Sequence, residues 1–260
     1  MVRDGQPSWS PDGSSIAFVS NRSGTWQVWL QSVRTGQDRQ LTSETTPVGG
    51  PTWSPDGTEV LYYAGDSLGY AIQAVDIATG EGRTLLEDDA FDFFRPVLSS
   101  DGSSLLFDRA AAGNHDIGVM DLRTGSTTLL APHDAYDSDA RWSPVDSLIV
   151  FHSDRDGVET YDTRIYVMRS DGSGLRRVSP EHMTATYPAW CPDGDWIAFS
   201  MGGDLHGVRV STGETIRLTS MQGTESSPAW SPDGSNIVFA HDLPDGSTEL
   251  ARVETTFCHP

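Results

Sequence analysis

The chain contains no lysine. All 17 of its basic residues are arginine, and they stand against 37 acidic residues, which gives a formal net charge of −20. Such a surface repels the phosphates of nucleic acids and of anionic membranes, so we expect no nucleic-acid partner. An acidic, lysine-free composition is typical of halophilic proteins, in which salt screens the repulsion among carboxylates. A GC-rich genome that encodes arginine in place of lysine is the alternative explanation.

Long apolar runs and cysteines are also scarce. No stretch reaches the roughly 18 apolar residues that a membrane-spanning helix needs, so we expect no membrane insertion. Residues 1–4 do not form the basic and then apolar start of an export signal. Cys191 and Cys258 are too few for a disulfide framework. Cys191 stands where other internal repeats carry serine, so we expect it to be a small buried residue.

One short phrase is present in six copies. The copies resemble Pro-x-Trp-Ser-Pro-Asp-Gly and span residues 7–13, 51–57, 96–102, 140–146, 188–194 and 228–234. Proline presets φ, aspartate closes a local hydrogen bond and glycine accepts the left-handed conformation, so the phrase predicts a tight hairpin. We therefore assign structural roles, in turns and in packing between units, to Asp12, Asp56, Asp101, Asp193 and Asp233 and to Trp9, Trp53, Trp142, Trp190 and Trp230.

The spacing of the copies, about 40 to 48 residues, is typical of a β-propeller with several strands per unit. We predict an all-β fold: one six-bladed β-propeller domain over residues 1–260 with four-stranded antiparallel blades. The repeats cover approximately residues 6–43, 50–87, 95–131, 139–179, 187–220 and 227–260. Fourth strands are predicted at 39–42, 83–86, 127–130, 176–179 and 216–219. The sixth repeat ends too early for one, so the last blade is expected to lack its fourth strand.

The repeated phrase, followed by strands such as Ile16-Ala17-Phe18-Val19-Ser20, resembles the TolB-type, WD-like β-propeller repeat. The resemblance covers essentially the whole chain and implies a non-catalytic scaffold that binds a protein or a peptide. It also implies a periplasmic or cell-envelope location, although no signal peptide is present in these residues. Similar repeats occur in the propeller that gates prolyl-oligopeptidase-family peptidases and in oligogalacturonide lyases that bind a divalent metal. A propeller fragment of a larger multidomain protein is a further alternative.

Function in this fold is expected on the variable loops at one end of the ring, where the chain enters each innermost strand and joins the second strand to the third. Acidic, aromatic and histidine residues gather there and would suit a cationic peptide, a basic protein patch or a metal. The candidate binding residues are Asp92, Phe94, Arg95, His133, Asp137, Asp139, Arg141, His152, Tyr187 and His241.

The competing hypothesis is an enzyme, a metal-dependent lyase or hydrolase with a histidine and aspartate site at the same loops. Its candidate ligands are His152, His241, Asp154 and Asp156, the last two in a loop that could offer oxygens to Ca²⁺. No cofactor is otherwise expected. The division between packing residues and loop residues predicts that Trp142→Ala destabilises the fold by about 3–5 kcal/mol. By the same division, Asp137→Ala should leave folding intact.

Overall fold

Each repeat folds into an antiparallel sheet because its apolar residues alternate with polar ones between tight turns. The computed structural model describes residues 1–111, 113–157, 159 and 161–258, and in these residues the chain forms six sheets arranged as a ring. The six sheets are the blades of a β-propeller, so the predicted fold is confirmed. The strands of every blade follow one another in chain order, and the first strand of each blade lines the axis of the ring.

The first three blades contain four strands each. Blade 1 consists of β1 (Asp4–Trp9), β2 (Ser15–Ser20), β3 (Gln27–Ser32) and β4 (Asp38–Gln40). Blade 2 consists of β5 (Val48–Trp53), β6 (Glu59–Asp66), β7 (Gly69–Asp76) and β8 (Gly82–Leu86). Blade 3 consists of β9 (Asp92–Leu98), β10 (Ser104–Ala111), β11 (Asn114–Asp121) and β12 (Thr127–Leu130).

The last three blades differ from one another at their outer edge. Blade 4 consists of β13 (Asp137–Trp142), β14 (Leu148–Ser153), β15 (Arg164–Arg169) and β16 (Arg176–Arg177). Blade 5 consists of β17 (Ala185–Trp190), β18 (Trp196–Met201), β19 (Asp204–Arg209) and β20 (Thr215–Arg217). Blade 6 consists of β21 (Thr224–Trp230), β22 (Asn236–Asp242) and β23 (Thr248–Glu254). The prediction of a last blade with three strands is therefore confirmed.

The repeated phrase forms the turn between the first and second strands of each blade. In blade 1, the Asp12 carboxylate accepts hydrogen bonds from Ser10 Oγ at 2.7 Å and from the Ser14 amide at 3.0 Å. Gly13 closes the turn at a φ of +70°, a conformation that side-chain-bearing residues rarely adopt. In the corresponding turns, hydrogen bonds are accepted by the carboxylates of Asp56, Asp101, Asp193 and Asp233. These carboxylates hold the turns together and are not available for chemistry.

Tryptophans of the phrase connect neighbouring blades. In four blades the indole Nε1 donates to a carbonyl in the first strand of the preceding blade, at 3.0–3.2 Å: Trp53 to Ser8, Trp142 to Val97, Trp190 to Arg141 and Trp230 to Ala189. Trp190 and Trp230 are buried, whereas Trp9, Trp53 and Trp142 are half-buried. The phrase therefore sets the spacing between blades as well as the turn within each blade.

Buried apolar clusters fill five of the six junctions between blades. The cluster between blades 1 and 2, for example, joins Val28 and Leu30 to Val60 and Tyr62, with Leu41 packed against it. Equivalent clusters lie between blades 2 and 3, 3 and 4, 4 and 5, and 5 and 6. At the junction between blades 6 and 1, where the ring closes, β1 lies against the strands of blade 6, and Ile16, Phe18, Val238 and Ala240 are buried.

The expectation for the cysteines was wrong in one respect, because Cys191 and Cys258 form a disulfide. Cys191 is buried, as expected, but it lies in the blade 5 hairpin, where the chain returns after β23. Phe257 packs beside the bond, between the rings of Trp196 and Trp230. The disulfide thus fixes the segment that follows blade 6 onto blade 5. In the described ranges, no helix has the length and hydropathy that a membrane crossing requires.

Candidate functional site

A β-bulge in every innermost strand turns one residue toward the axis of the ring. The strand register shifts at this point in all six blades. The bulge residue lies three positions before the tryptophan or leucine of the phrase, and its φ lies between +50° and +58°. Five of the six are not glycine, although this conformation strains other residues. We call these residues the channel ring: Gln6, Gly50, Arg95, Asp139, Tyr187 and Ser227.

A cavity of about 450 Å³ extends from the channel ring toward the hairpin face, which is the end of the propeller that carries the Ser-Pro-Asp-Gly turns. Its outer wall is apolar and is built from the repeated phrase: Trp9, Trp142, Trp190 and Trp230, with Pro11, Pro144, Pro192 and Pro232. Its inner end carries Arg95, Asp139, Arg141 and Tyr187. We call this space the channel cavity; it combines an aromatic and proline-rich wall with a charged end.

The charged end is a connected network. Asp139 Oδ1 lies 2.5 Å from Arg95 Nη1 and 3.3 Å from Arg141 Nη2, and the Asp139 side chain is 2% exposed. Behind Arg95, the buried Asp108 carboxylate lies 3.5 Å from the Arg95 Nε and accepts hydrogen bonds from Ser138 Oγ and the Asp139 amide. Buried charges are stable only when paired in this way. The network therefore fixes the two guanidinium groups at the end of the channel cavity.

Burial and neighbouring charges set the protonation of this network. Burial raises the pKa of Asp108 to about 7, although the Arg95 guanidinium acts in the opposite direction. Burial also opposes ionisation of Asp139, but the charges of Arg95 and Arg141 outweigh it and lower the pKa of that carboxyl. Desolvation lowers the pKa of His152, 3.7 Å from Asp139, to about 4. At neutral pH the arrangement is thus an ionised Asp139 between two arginines, with a neutral imidazole beside it.

The opposite end of the ring, the loop face, carries a line of aromatic side chains. Phe94 packs against Tyr70 at 4.8 Å and Tyr63 at 5.2 Å between ring centroids, and it stacks on His115 at 5.8 Å. His115 contacts Tyr136 at 4.5 Å, and the line continues through His152 to Tyr187. Asp92 ties this line to the backbone, because its carboxylate accepts from the Tyr70 amide at 2.9 Å.

The expectation that Asp137 lies on a solvent-exposed rim was wrong. Its side chain is 1% exposed and lies 2.7 Å from the guanidinium of Arg155, which packs over the rings of Phe151 and Tyr166. The cause is the start of β13, which draws Asp137 into the sheet opposite Ser153. Removing one partner of a buried ion pair is strongly destabilising, so the earlier expectation that Asp137→Ala leaves folding intact is withdrawn.

The structure separates the remaining candidates. His133 lies in an exposed loop, where its Nδ1 accepts from the Ala135 amide at 3.1 Å. His241 is buried in blade 6, with Nε2 2.9 Å from the Gln222 carbonyl. His152 contacts the Tyr187 amide and Asp139 in blade 4. His133 thus lies in the loop before blade 4, His152 within blade 4 and His241 in blade 6, each in different surroundings.

The proposed metal ligands do not gather into one site. Asp154 accepts from the Tyr136 and Tyr161 amides, and Asp156 accepts from the Tyr166 hydroxyl at 2.5 Å, so these carboxylates hold their own loop. In the residues that the structure describes, the only close group of metal-type ligands is Cys191, Asp193 and Cys258. Both of its sulfur atoms are in the disulfide, which leaves a single carboxylate.

Sequence reasoning found three members of the channel ring, Arg95, Asp139 and Tyr187, and the wall residue Arg141. It missed Gln6, Gly50 and Ser227, because their side chains carry no conspicuous chemistry. Their position in the repeat could have identified them. In every repeat the bulge residue stands three residues before the tryptophan or leucine of the phrase. Gln6 is part of the ring by contact as well, since its Oε1 accepts from the Gly50 amide at 2.7 Å.

A ring of six antiparallel blades around an axial cavity defines a β-propeller of the repeat-protein class. The family model described as TolB beta propeller domain matches residues 1–92 and 38–256. The chain belongs to this family.

Known proteins of similar sequence or structure agree with this assignment. The Protein TolB homolog of Protochlamydia amoebophila (strain UWE25) is 47% identical over 36 residues, which is 14% of this chain and 8% of that protein. TolB from Acinetobacter baumannii has a TM-score of 0.78 at 24% identity, over 97% of this chain and 61% of that one. An oligogalacturonate lyase in complex with manganese has a TM-score of 0.71 at 22% identity, over 97% and 76%. Both structures share the fold, and this chain spans about three fifths of the length of the Acinetobacter protein.

Proposed function

We propose that this propeller is a non-catalytic binding platform that takes up an extended protein or peptide segment in the channel cavity. The single observation that carries the proposal is the cavity itself, about 450 Å³ in volume, with four tryptophans on its wall and two arginines at its inner end. Cavities of this size with apolar walls and a few fixed polar groups are the usual form of a ligand site. The segment enters from the hairpin face.

The wall favours a peptide with apolar side chains. Tryptophan and proline rings offer large, rigid contact surfaces that lose little conformational entropy on binding. The inner end favours a carboxylate, because the charged side chains on the cavity wall are Arg95, Arg141 and Asp139, which leaves an excess of one positive charge. Guanidinium groups bind carboxylates through paired, charge-assisted hydrogen bonds. A segment with an acidic side chain or a free C-terminus near its leading end fits both features.

Membership of the TolB beta propeller domain family supports a binding role, and the resemblance noted from the sequence implies the same class of partner. The disulfide supports a protein that works in an oxidising compartment, where such bonds persist. The sequence prediction placed the partner on the loop face. We instead propose that the partner enters from the hairpin face, with Arg95, Asp139, Arg141 and Tyr187 at the inner end of the site.

The test is selection of peptides from a random display library on the immobilised protein. Selected peptides should quench or shift tryptophan fluorescence, since four tryptophans line the cavity. Ser227→Tyr should block binding, because Tyr187 already shows that the equivalent ring position holds a tyrosine at nearly the same φ. Ser43→Tyr, at an exposed position outside the cavity, is the matched control.

Two results would overturn the proposal. The first is a failure to select any peptide above background. The second is selected peptides that bind Ser227→Tyr and the wild-type protein with the same affinity while both melt at the same temperature. That second result would place peptide binding elsewhere on the surface.

A further inference from the structure

The outer edge of blade 6 is open. β23 pairs with β22 along its whole length. In the described residues its other side meets the N-terminal segment at Thr248, through a bridge to Arg3 and a hydrogen bond from the Thr248 amide to the Val2 carbonyl. In each of the other blades a fourth strand pairs along this edge. An exposed strand edge is a template for pairing with another chain. We propose that β23 accepts an extended segment of a partner protein as the fourth strand of blade 6, a second interaction separate from the channel cavity.

The other blades show what a fourth strand contributes to this edge. In three of them a hydroxyl two residues beyond the fourth strand accepts from an amide of the third strand at 2.8–2.9 Å: Thr42 from Val28, Ser179 from Ile165 and Thr219 from Leu205. The residue just before each hydroxyl is aliphatic. Its amide donates at 2.8 Å to the carbonyl of the third-strand residue whose amide the hydroxyl accepts: Leu41 to Val28, Val178 to Ile165 and Leu218 to Leu205. An aliphatic residue followed by serine or threonine is therefore the pair that fits this edge.

Leu250 is the blade 6 counterpart of these third-strand residues. Phe239 pairs with Ala251, as Phe199 of blade 5 pairs with His206, so Leu250 corresponds to Leu205. The amide and carbonyl of Leu250 therefore point to the outer edge, where the described residues offer them no fourth strand. An incoming aliphatic-hydroxyl pair would satisfy both groups.

The aliphatic residue of the incoming strand also has a place to pack. In the other blades this residue lies against the cluster at the junction with the next blade, as Leu41 does between blades 1 and 2. At the junction between blades 6 and 1, Val238 and Ala240 of β22 are buried, whereas Leu250 of β23 stays partly exposed. The buried Trp9 Nε1 at this junction has no hydrogen-bond partner there, unlike its counterpart Trp53. The partly exposed Leu250 is therefore the residue against which an incoming aliphatic side chain would pack.

The positive charge of Arg252 on β23 determines which incoming strands can pair with this edge. Arg252 is exposed on β23 and takes the place of Leu30 in blade 1 and Val167 in blade 4. In those blades the facing fourth-strand residues are Arg39 and Arg176. A second arginine opposite Arg252 would be destabilising, whereas an acidic residue would be favourable. The expected partner segment therefore reads acidic, any residue, aliphatic, then serine or threonine. The fourth strands of blades 1 and 4 carry Arg39 and Arg176 at this position, so Arg252 would repel the same strands of a second copy of this chain.

The experiment uses three synthetic peptides and the whole chain. The first is the segment of residues 36–43 with Arg39→Glu, which has the expected pattern; the second is the unchanged segment; the third adds Leu41→Pro to the first. We expect the first to bind saturably in fluorescence anisotropy, the second about fivefold more weakly, as one cross-strand charge pair allows, and the third not at all. Arg252→Glu, an exposed change, should reverse the order of the first two.

Specific outcomes would overturn the proposal. They are no binding of either of the first two peptides, equal binding of both with no effect of Arg252→Glu, or dimerisation of the chain that Leu250→Pro abolishes. Ser227→Tyr should not alter binding of these peptides, because it lies in the channel cavity. Failure of the edge proposal therefore leaves the channel proposal untouched, and the reverse also holds.

Discussion

Asp139 holds the charged end of the channel cavity together, and Asp139→Asn removes its charge with little change of shape. Asparagine is one of the few residues that tolerates the left-handed backbone found here, with a φ of +57°. Breaking a buried ion pair on one side costs about 3–5 kcal/mol. The Arg95 and Arg141 side chains keep 17% and 28% exposure, so part of the loss is recovered by solvent. We therefore expect a decrease of about 3 kcal/mol in the free energy of unfolding.

The measurement is urea unfolding at neutral pH, followed by tryptophan fluorescence. Asp89→Asn is the control, because Asp89 is exposed and its change should leave the unfolding midpoint unaltered. A loss of less than about 1 kcal/mol, the size expected for a surface ion pair, would refute the view that Asp139 organises the network.

The same variant has a signature in its pH dependence. Asp108 has a folded-state pKa raised by burial to about 7, and Asp139 is one of the charges that raise it. A raised folded-state pKa gives stability that is present at low pH and is lost as the pH rises through 7. Without the charge of Asp139 the pKa of Asp108 is less raised, so the variant loses less stability than the wild-type protein between pH 6 and pH 8. The difference in free energy of unfolding between the wild-type protein and Asp139→Asn should therefore be smaller at pH 8 than at pH 6. A deficit independent of pH would point to simple loss of packing.

Three further predictions concern other parts of the fold. The low pKa of buried His152, about 4, means that acid favours the unfolded chain, so the stability of the wild-type protein relative to His152→Gln should fall from pH 7 to pH 4. Reducing the Cys191–Cys258 bond, which closes a loop over a sequence separation of 67, should cost about 4 kcal/mol in urea unfolding. Trp142→Phe should lose about 1 kcal/mol more than Trp9→Phe, because only the indole of Trp142 has a carbonyl acceptor.

Each of these has a control within the same experiment. A His152→Gln difference that stays constant over pH 4–7 would contradict a buried neutral imidazole. Cys191→Ser should match the reduced wild-type protein and should not respond to reductant; a variant as stable as the oxidised protein would contradict the role of the bond. Equal losses for the two tryptophan variants would show that the indole hydrogen bond adds nothing between blades.

The propeller could be predicted because its determinants are local and repeated. Proline, aspartate and glycine of the phrase encode each hairpin, and the following residues alternate as a strand with one buried face requires. The three-stranded form of blade 6 in the described residues was predicted as well. These features need no information about how distant parts of the chain meet.

The site was harder to predict because it depends on where strands shift register and on where the chain returns. The β-bulges decide which residue of each innermost strand faces the axis, and no single bulge residue type marks them: arginine, aspartate, tyrosine, serine, glutamine and glycine all occur. The pairing of Cys191 with Cys258 depends on the path of the chain after β23. Asp137 was misplaced for the same reason, since only the register of β13 against β14 buries it.

The channel ring brings residues of very different chemistry to the axis on one shared backbone conformation. Each blade gives one residue to the axis, and five of the six carry a side chain, from a bulge whose φ is nearly the same whether the residue is Gln6, Arg95 or Tyr187. The six positions differ in how freely they can be exchanged, because Arg95 and Asp139 form a buried ion pair and a side chain at Gly50 would crowd Tyr63. An exchange of Arg95 or Asp139 alone leaves a buried charge without its partner, so these two positions have to change together. The channel can therefore vary singly at some positions and only in pairs at others.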